Sequence, residues 1–238
     1  NTGAFDDLNA LADLCAQEDL WFHVDGAFGA LAAIAPDLKH LVAGLERSDS
    51  VAFDMHKWLY VPFEASCVLV RQRDQHYNTF TLTPEYLTHH TRGVSAGDLW
   101  FSDYGIQLTR GFRALKVWMS IKEHGLAKYG RLIQQNVDQA RYLSALVDAE
   151  PELERLAETP LNIVCFRYTN PAMDDAALNA LNEELLLRLH ERGLAVPTYT
   201  RLHGKYAIRA AITNQRSRRE DFDFLVQTVL QLGRELAG

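Results

Sequence analysis

The sequence is poor in cysteine, has no excess of positive charge and contains no long hydrophobic run. Its 3 cysteines (Cys15, Cys67 and Cys165) are far apart and odd in number, so they predict neither a disulfide framework nor a metal-ligand spacing. We expect reduced core cysteines in a cytoplasmic protein. The net charge of −7 argues against a nucleic-acid partner, which would favour a basic face. No apolar run reaches the length of a membrane span and no signal peptide opens the chain, so we expect no membrane partner.

What the sequence does have is the composition of an ordinary globular protein, with 47% hydrophobic and 23% charged residues. A length of 238 residues allows one or two domains with a sizeable core. Helical and strand-like patterns alternate along the chain, which indicates a parallel α/β construction. We predict two domains, residues 1–115 and a smaller α/β domain at residues 116–238.

Hydrophobic periodicity and the positions of glycine and proline predict the individual elements. Helices are expected at residues 8–15, 38–45, 111–124, 126–147, 176–192 and 218–236. Strands are expected at residues 21–24, 50–53, 66–70, 161–168, 195–200 and 206–213. Residues 71–110 lose the regular pattern and are predicted to form a long polar loop.

The first candidate for chemistry is the lysine that follows the strand at residues 50–53. Asp54, His56 and Lys57 form a polar cluster, and Trp58 and Leu59 follow directly. A lysine among large apolar residues is poorly hydrated, which disfavours the ammonium and makes the amine a usable nucleophile towards carbonyls. We interpret Lys57 as the residue that forms a Schiff base with pyridoxal 5′-phosphate. The structural alternative is a lysine whose stem lies on apolar surface while its head stays in water.

A carboxylate at the end of the preceding strand supports this interpretation. Residues 21–24 read as a buried strand, and Asp25, Gly26 and Ala27 follow it. In open α/β sheets, ligands bind outside the carboxyl ends of the strands, where Asp25 and Lys57 would both lie. A carboxylate beside the pyridine nitrogen keeps that nitrogen protonated, and the protonated ring serves as an electron sink. Gly26 and Ala27 would let the backbone approach a flat ring. Alternatively, Asp25 caps the next segment.

These stretches resemble the group II pyridoxal-phosphate decarboxylases, a family that includes the aromatic-L-amino-acid, histidine and glutamate decarboxylases. The resemblance is carried by His-Val-Asp-Gly-Ala-Phe at residues 23–28 and Asp-Met-His-Lys-Trp at residues 54–58. It continues through residues 83–87, 110–118 and 207–209 and covers nearly the whole chain. The family implies the fold-type I architecture, here as part of the large parallel or mixed-sheet domain plus the small C-terminal α/β domain.

The resemblance also implies roles for further residues. Tyr86 matches a loop tyrosine that reaches the active site of the neighbouring subunit, so a homodimer with its active site at the subunit interface is expected. A phenol there can deliver the proton that quenches the carbanion after carbon dioxide leaves. His56 would lie near the cofactor phosphate or ring and support this protonation. Ala27 joins Asp25, His56 and Lys57 in the expected cofactor site.

Two positions depart from the family pattern. Asp54 stands where the aromatic decarboxylases commonly have asparagine, close to the cofactor phosphate. Because an acid beside a phosphate is unfavourable, we expect Asp54 to turn away or to contribute only its backbone. Phe28 replaces a tyrosine found in many relatives, which leaves the preferred substrate open.

Arg209 is the candidate for binding a substrate carboxylate. It lies in an apolar strand, where an unpaired charge would be costly. Since a guanidinium binds a carboxylate bidentately, either the substrate or an internal acid could satisfy it. In glutamate decarboxylase-like members, the matching arginine lies close to the substrate carboxylate.

The adjacent histidines His89 and His90 do not predict a metal site, because they cannot share a helix face and have no carboxylate at ligand spacing. We expect no metal.

The sequence as a whole predicts a carboxy-lyase that converts an L-amino acid to its amine. An aminotransferase or another lyase of the same fold would share Asp25 and Lys57, so these remain alternatives, as does a cofactor-free scaffold. An aldehyde synthase is disfavoured, because relatives with that activity commonly carry phenylalanine at the loop tyrosine. The opening residues read as a loop already within a fold, and the resemblance implies a chain about twice as long. We therefore expect a C-terminal half that lacks the phosphate loop and the ring-stacking histidine.

Overall fold

The computed structural model describes residues 1–82, 89–94, 96–97 and 99–238. Within these residues the chain divides into two compact units. The Lys57 unit comprises residues 7–31 and 42–125, and the C-terminal unit comprises residues 1–6, 32–41 and 126–238. The boundary expected near residue 115 stays a prediction. No helix in the described part of the chain combines the length and the apolar character needed to cross a membrane.

The Lys57 unit is built on a three-stranded sheet in the order β1-β2-β3. Its strands are β1 (His23–Asp25), β2 (Ser50–Asp54) and β3 (Ser66–Val70). Strand β1 runs parallel to β2, and β3 runs antiparallel to it, so the sheet is mixed. The helices of this unit are α1 (Leu8–Gln17), α2 (Met55–Trp58), α3 (Arg73–Phe80) and α4 (Arg113–His124).

Helix α1 forms where the sequence predicts it. Asp7 caps it by accepting a hydrogen bond from the backbone N–H of Ala10 at 3.0 Å. Leu8 and Ala12, on one face, pack with Phe22, which directly precedes β1. This contact packs the start of β1 against the helix.

The C-terminal unit contains a four-stranded antiparallel sheet in the order β4-β5-β7-β6. Its strands are β4 (Leu153–Arg155), β5 (Ile163–Tyr168), β6 (Thr198–Leu202) and β7 (Lys205–Ala211), and its helices are α5 (Leu126–Ala149), α6 (Asp175–Glu191) and α7 (Arg219–Ala237).

Strand β5 is the centre of the C-terminal unit, and all of its residues are buried. Val164, Phe166 and Tyr168 belong to the main core cluster with residues of α5, α6 and α7. Ile163 and Cys165, which alternate with them, pack on the other face with residues that include Ala207. Burial on both faces explains why residues 163–166 of this strand read as an unbroken apolar run.

Helix α7 approaches β5 closely because it has a glycine at the contact. A Cβ on Gly233 would lie only 2.2 Å from Cδ2 of Tyr168. Any larger residue at position 233 would force the helix and the strand apart.

Two expectations about the Lys57 unit are wrong. Residues 71–110 are not all loop, since α3 and a 3₁₀ segment at Phe101–Tyr104 lie within them. Among the described residues, β1 is the outer strand of its sheet and His23 and Asp25 are exposed, which differs from the buried strand expected at residues 21–24. An apolar run of this length does not distinguish a central strand from an edge strand.

Candidate active site

The candidate site lies at the edge of the first sheet where β1 and β2 both end. Because the two strands are parallel, with Asp25 opposite Ala52, their carboxyl ends point in the same direction. The ladder continues one step further, since the N–H of Gly26 donates to the carbonyl of Ala52 at 2.9 Å. Asp25 and the residues after β2 are thereby brought to one edge, as the sequence predicts.

The Asp25 carboxylate is exposed at this edge. Its Oδ1 accepts a hydrogen bond from the N–H of Ala27 at 3.1 Å, which orients the side chain. No residue in the described ranges occupies its Oδ2. Asp25 thus makes the local turn that its alternative role requires and still offers a free acceptor to a ligand.

Lys57 lies in the one-turn helix α2, which begins directly after β2. Its Nζ lies 2.7 Å from Oδ2 of Asp54, the last residue of β2. The Lys57 side chain is 43% exposed, whereas that of Asp54 is only 18% exposed. The lysine head is therefore accessible to solvent and not poorly hydrated as expected, whereas the aspartate that contacts it is more enclosed.

The Asp54 side chain itself makes contacts at this edge, so Asp54 contributes more than its backbone, while the expectation that it turns away from the cofactor phosphate stays a prediction. Ser66 lies opposite Asp54 on the neighbouring strand β3. Its hydroxyl donates a hydrogen bond to Oδ1 of Asp54, and Lys57 contacts Oδ2. The hydrogen bond from Lys57, with that from Ser66, lowers the pKa of the Asp54 carboxyl below its ordinary value. Asp54 is therefore an anion at neutral pH. The spacing of three residues in a helical turn was the available signal for this pair.

Two contacts join the segment after β1 to the segment after β2. The N–H of Asp54 donates to the carbonyl of Ala27 at 3.0 Å. The rings of Phe28 and Trp58 stack with centroids 4.6 Å apart and planes inclined by 19°. Trp58 is fully buried, so it anchors α2 to the unit and limits the movement of the lysine backbone. Sequence reasoning missed this stack.

His56 is oriented by the backbone of the loop that precedes β3. Its Nδ1 accepts a hydrogen bond from the N–H of Ala65 at 3.1 Å. In the neutral ring the proton therefore resides on Nε2, which can donate to a ligand. The ring also contacts Phe63 edge-on at 5.0 Å.

Tyr86 and Arg209 are the two remaining candidate residues. Tyr86 lies outside the described residues. Arg209 belongs to the C-terminal unit, where its Nε donates to the carbonyl of Asn1 at 2.7 Å and its Nη1 lies 3.4 Å from Oγ1 of Thr198. Among the described residues Arg209 has no carboxylate partner, which leaves its charge available for an external acid.

Arg167 is a buried arginine that sequence reasoning missed. Its side chain is only 3% exposed and pairs with Glu154 at 2.7 Å and with Asp175 at 2.8 Å. Glu154 also accepts from Lys205 at 2.6 Å. This cluster has internal partners and belongs to the packing of the C-terminal unit.

The two loop histidines do not act as a pair. His89 lies with its Nε2 3.2 Å from Oδ2 of the buried Asp103, and its ring lies 5.0 Å from that of Trp100. His90 makes an isolated bridge with Ala96 instead.

Comparisons with known proteins point to one family. The family described as "Pyridoxal-dependent decarboxylase conserved domain" matches residues 1–169. The chain is 35% identical over 238 residues to the aromatic-L-amino-acid decarboxylase of Bacillus atrophaeus, covering 100% of this chain and 49% of that protein. It is 36% identical over 218 residues to the histidine decarboxylase of Drosophila melanogaster, covering 92% of this chain and 25% of that protein. The chain thus spans about half of the first relative and a quarter of the second.

Solved structures agree with this result. The structure of Oryza sativa TDC with PLP and tryptamine superposes with a TM-score of 0.89 at 27% identity, over 99% of this chain and 49% of that one. Mouse CSAD in apo form gives a TM-score of 0.87 at 27% identity, over 98% of this chain and 50% of that one. These likenesses confirm the expected α/β fold, part of the fold-type I architecture.

Proposed function

The chain belongs to the pyridoxal-dependent decarboxylase family, and on that basis we propose that the protein of which it forms part decarboxylates an L-amino acid to the corresponding amine. The observation that carries the proposal is the presence of Asp25 and Lys57 at the same edge of one sheet. A carboxylate and an amine at such an edge are the two groups that a pyridine aldehyde requires.

The residues at this edge fit pyridoxal phosphate by their chemistry. Asp25 offers to a protonated ring nitrogen an oxygen that has no partner among the described residues, and Lys57 offers an accessible amine to the aldehyde. His56 presents its Nε2 as a donor, and the small side chain of Ala27 leaves room beside the backbone. When bound, this cofactor supplies the sink for the electrons released as the bond to the carboxylate breaks.

The residues of the chain then have separate tasks. Asp25 keeps a proton on the ring nitrogen, because a nearby carboxylate favours the charged form of that nitrogen. His56 donates from Nε2 to the bound group and supports proton transfer. Tyr86 delivers the proton that replaces the lost carboxylate.

Arg209 would bind a substrate carboxylate, and the support for this role is its lack of an acidic partner among the described residues. Within the described ranges its guanidinium contacts a carbonyl and a hydroxyl, neither of which neutralises its charge, so that charge remains for a carboxylate.

The substrate class follows from the relatives. Those described above are named for aromatic amino acids and for histidine, so an amino acid with a flat ring is the first choice. We extend the proposal to a cytoplasmic homodimer in which Tyr86 serves the partner subunit.

The test is carbon dioxide release by the full-length protein loaded with pyridoxal phosphate, measured over a panel of L-amino acids with the amine quantified in parallel. We expect equal amounts of carbon dioxide and amine from at least one of them. Transfer of the amino group to a keto acid, without release of carbon dioxide, would overturn the proposal in favour of an aminotransferase.

A further inference from the structure

The further inference concerns the carboxylate that contacts the reactive lysine. Asp54 makes three polar contacts. Its N–H donates to the carbonyl of Ala27, its Oδ1 accepts from the hydroxyl of Ser66, and its Oδ2 pairs with the ammonium of Lys57. A largely enclosed carboxylate fixed in this way cannot easily follow the lysine if the lysine moves. The contact is therefore a property of the site and not a chance meeting of two mobile side chains.

The bond that Lys57 would make to the cofactor competes with this contact. The ammonium must first release one proton, and its nitrogen then attacks the aldehyde carbon. A carbon–nitrogen double bond forms, the carbon–oxygen double bond breaks, and the oxygen leaves as water with the two remaining amine hydrogens. The same nitrogen cannot complete this step while it remains an ammonium paired to Asp54 at 2.7 Å.

We propose that Asp54 is a positioning residue that restrains Lys57 before the cofactor arrives and slows its covalent capture. This inference rests on the proposed role of Lys57. It assigns to Asp54 an action on the lysine amine, whereas an acid at this position would otherwise be expected to act on the cofactor phosphate by repulsion. The two actions make different predictions for an aldehyde that has no phosphate.

The experiment uses the full-length protein freed of cofactor and two aldehydes, pyridoxal phosphate and 5-deoxypyridoxal. The second has the same ring and aldehyde but no phosphate, and it cannot close into an internal hemiacetal. Capture is followed by stopped-flow absorbance, and the product is reduced with borohydride and located by peptide mapping. Neither readout depends on turnover.

The informative variant is Asp54→Asn, which keeps the size of the side chain and an acceptor for Ser66. Asp13→Asn is the matched control, because Asp13 loses the same charge in the same unit but pairs with Arg47. An ion pair with one partly exposed partner is worth little, so we expect Asp54→Asn to capture both aldehydes about two- to five-fold faster than wild type. Asp13→Asn should leave both rates unchanged.

A second measurement requires no variant. Salt screens an accessible ion pair, so capture of 5-deoxypyridoxal by the wild-type protein should accelerate as potassium chloride is raised. If Asp54→Asn does not fold, this salt dependence alone decides the question.

Each outcome has one meaning. Acceleration with pyridoxal phosphate only would assign Asp54 to phosphate repulsion and overturn the inference. Equal or slower capture of 5-deoxypyridoxal by Asp54→Asn, or a wild-type rate independent of salt, would also overturn it. Label on a lysine other than Lys57 would refute the proposed function itself.

Discussion

Two cations in this chain, Lys57 and Arg167, are held in opposite ways. Arg167 is 3% exposed and pairs with two carboxylates, whereas Lys57 is 43% exposed and pairs with one. The arginine has exchanged its water for internal partners at Nε and Nη2, so it is committed to the structure. The lysine keeps both water and a replaceable partner, so it can change its contacts at small cost. Of these two cations, the more deeply buried one, Arg167, has the structural role.

The strands next to the two residues differ in burial in the same way as the residues themselves. All residues of β5, which holds Arg167, are buried, whereas β1 and β2 have no fully enclosed residue apart from Ser50. Among the described residues, the strand that holds Arg167 is thus enclosed by its own unit, whereas the strands that precede Asp25 and Lys57 remain partly exposed.

The largest effect should come from Lys57→Ala. Since no other group in the described ranges pairs an accessible amine with this edge, we expect complete loss of cofactor fixed by borohydride, as measured by mass spectrometry of the full-length protein. Lys39→Ala, at another exposed lysine, should retain full labelling. Labelling that survives in Lys57→Ala would show that Lys57 is not the reactive amine, so its exposure would no longer set it apart from Arg167 in function.

Asp25→Asn should have the next largest effect, on turnover rather than on cofactor binding. Losing an opposite charge shifts a pKa by about one to three units, so the ring nitrogen would lose its proton and turnover would fall about ten- to a thousand-fold. Single-turnover kinetics and a cofactor titration would separate the two quantities. Near-normal turnover would show that Asp25 serves only to stabilise the turn through its hydrogen bond with Ala27.

Arg167→Met should lower stability and leave cofactor capture unchanged. A fully buried pair broken on one side costs about 3–5 kcal/mol. Because Glu154 and Asp175 remain partly exposed, we expect a loss of about 1–3 kcal/mol in the free energy of unfolding. Urea unfolding of the full-length protein, with Arg188→Met as the control at a more exposed pair, would measure it. Slower capture of cofactor in Arg167→Met would show that the two charges are not separate in function.

The smallest effect concerns pH. Burial alone would raise the pKa of Glu154, but hydrogen bonds from Lys205 and Arg167 and their charges bring it below its ordinary value. The stabilisation of the fold by ionised Glu154 is therefore fully present above about pH 4.3, the ordinary pKa of a glutamate. It is lost as the pH falls through the lower pKa that Glu154 has in the folded state. Unfolding midpoints between pH 6 and pH 3 should fall less steeply in Arg167→Met than in wild type. If the unfolding midpoints of the two proteins fell equally steeply with pH, Glu154 would not be responsible for the pH dependence.

The fold of the C-terminal unit could be predicted from the sequence because its patterns are strong. The strand at β5 has an unbroken apolar run at residues 163–166, and the helices α6 and α7 have apolar residues at the helical period. Helix α3 was missed because Arg-Asp-Gln-His-Tyr-Asn-Thr-Phe carries no apolar stripe, and its residues are exposed or half-buried.

The chemistry at the sheet edge was only partly predictable. Asp25 and Lys57 could be found, because each follows a strand and the family motif contains both. The contact between Asp54 and Lys57 was overlooked because the expectation considered only a phosphate beside Asp54. Arg167 was overlooked because its partner Glu154 lies in β4, a short strand that periodicity does not reveal.

The stack of Phe28 on Trp58 limits how this site can vary during evolution. A tyrosine at position 28 would keep the same ring over the buried indole and add only a hydroxyl at its far end. Exchange between phenylalanine and tyrosine would therefore keep the packing under the Lys57 backbone. An aliphatic residue would remove the ring that the indole packs against, so this packing favours an aromatic residue at position 28.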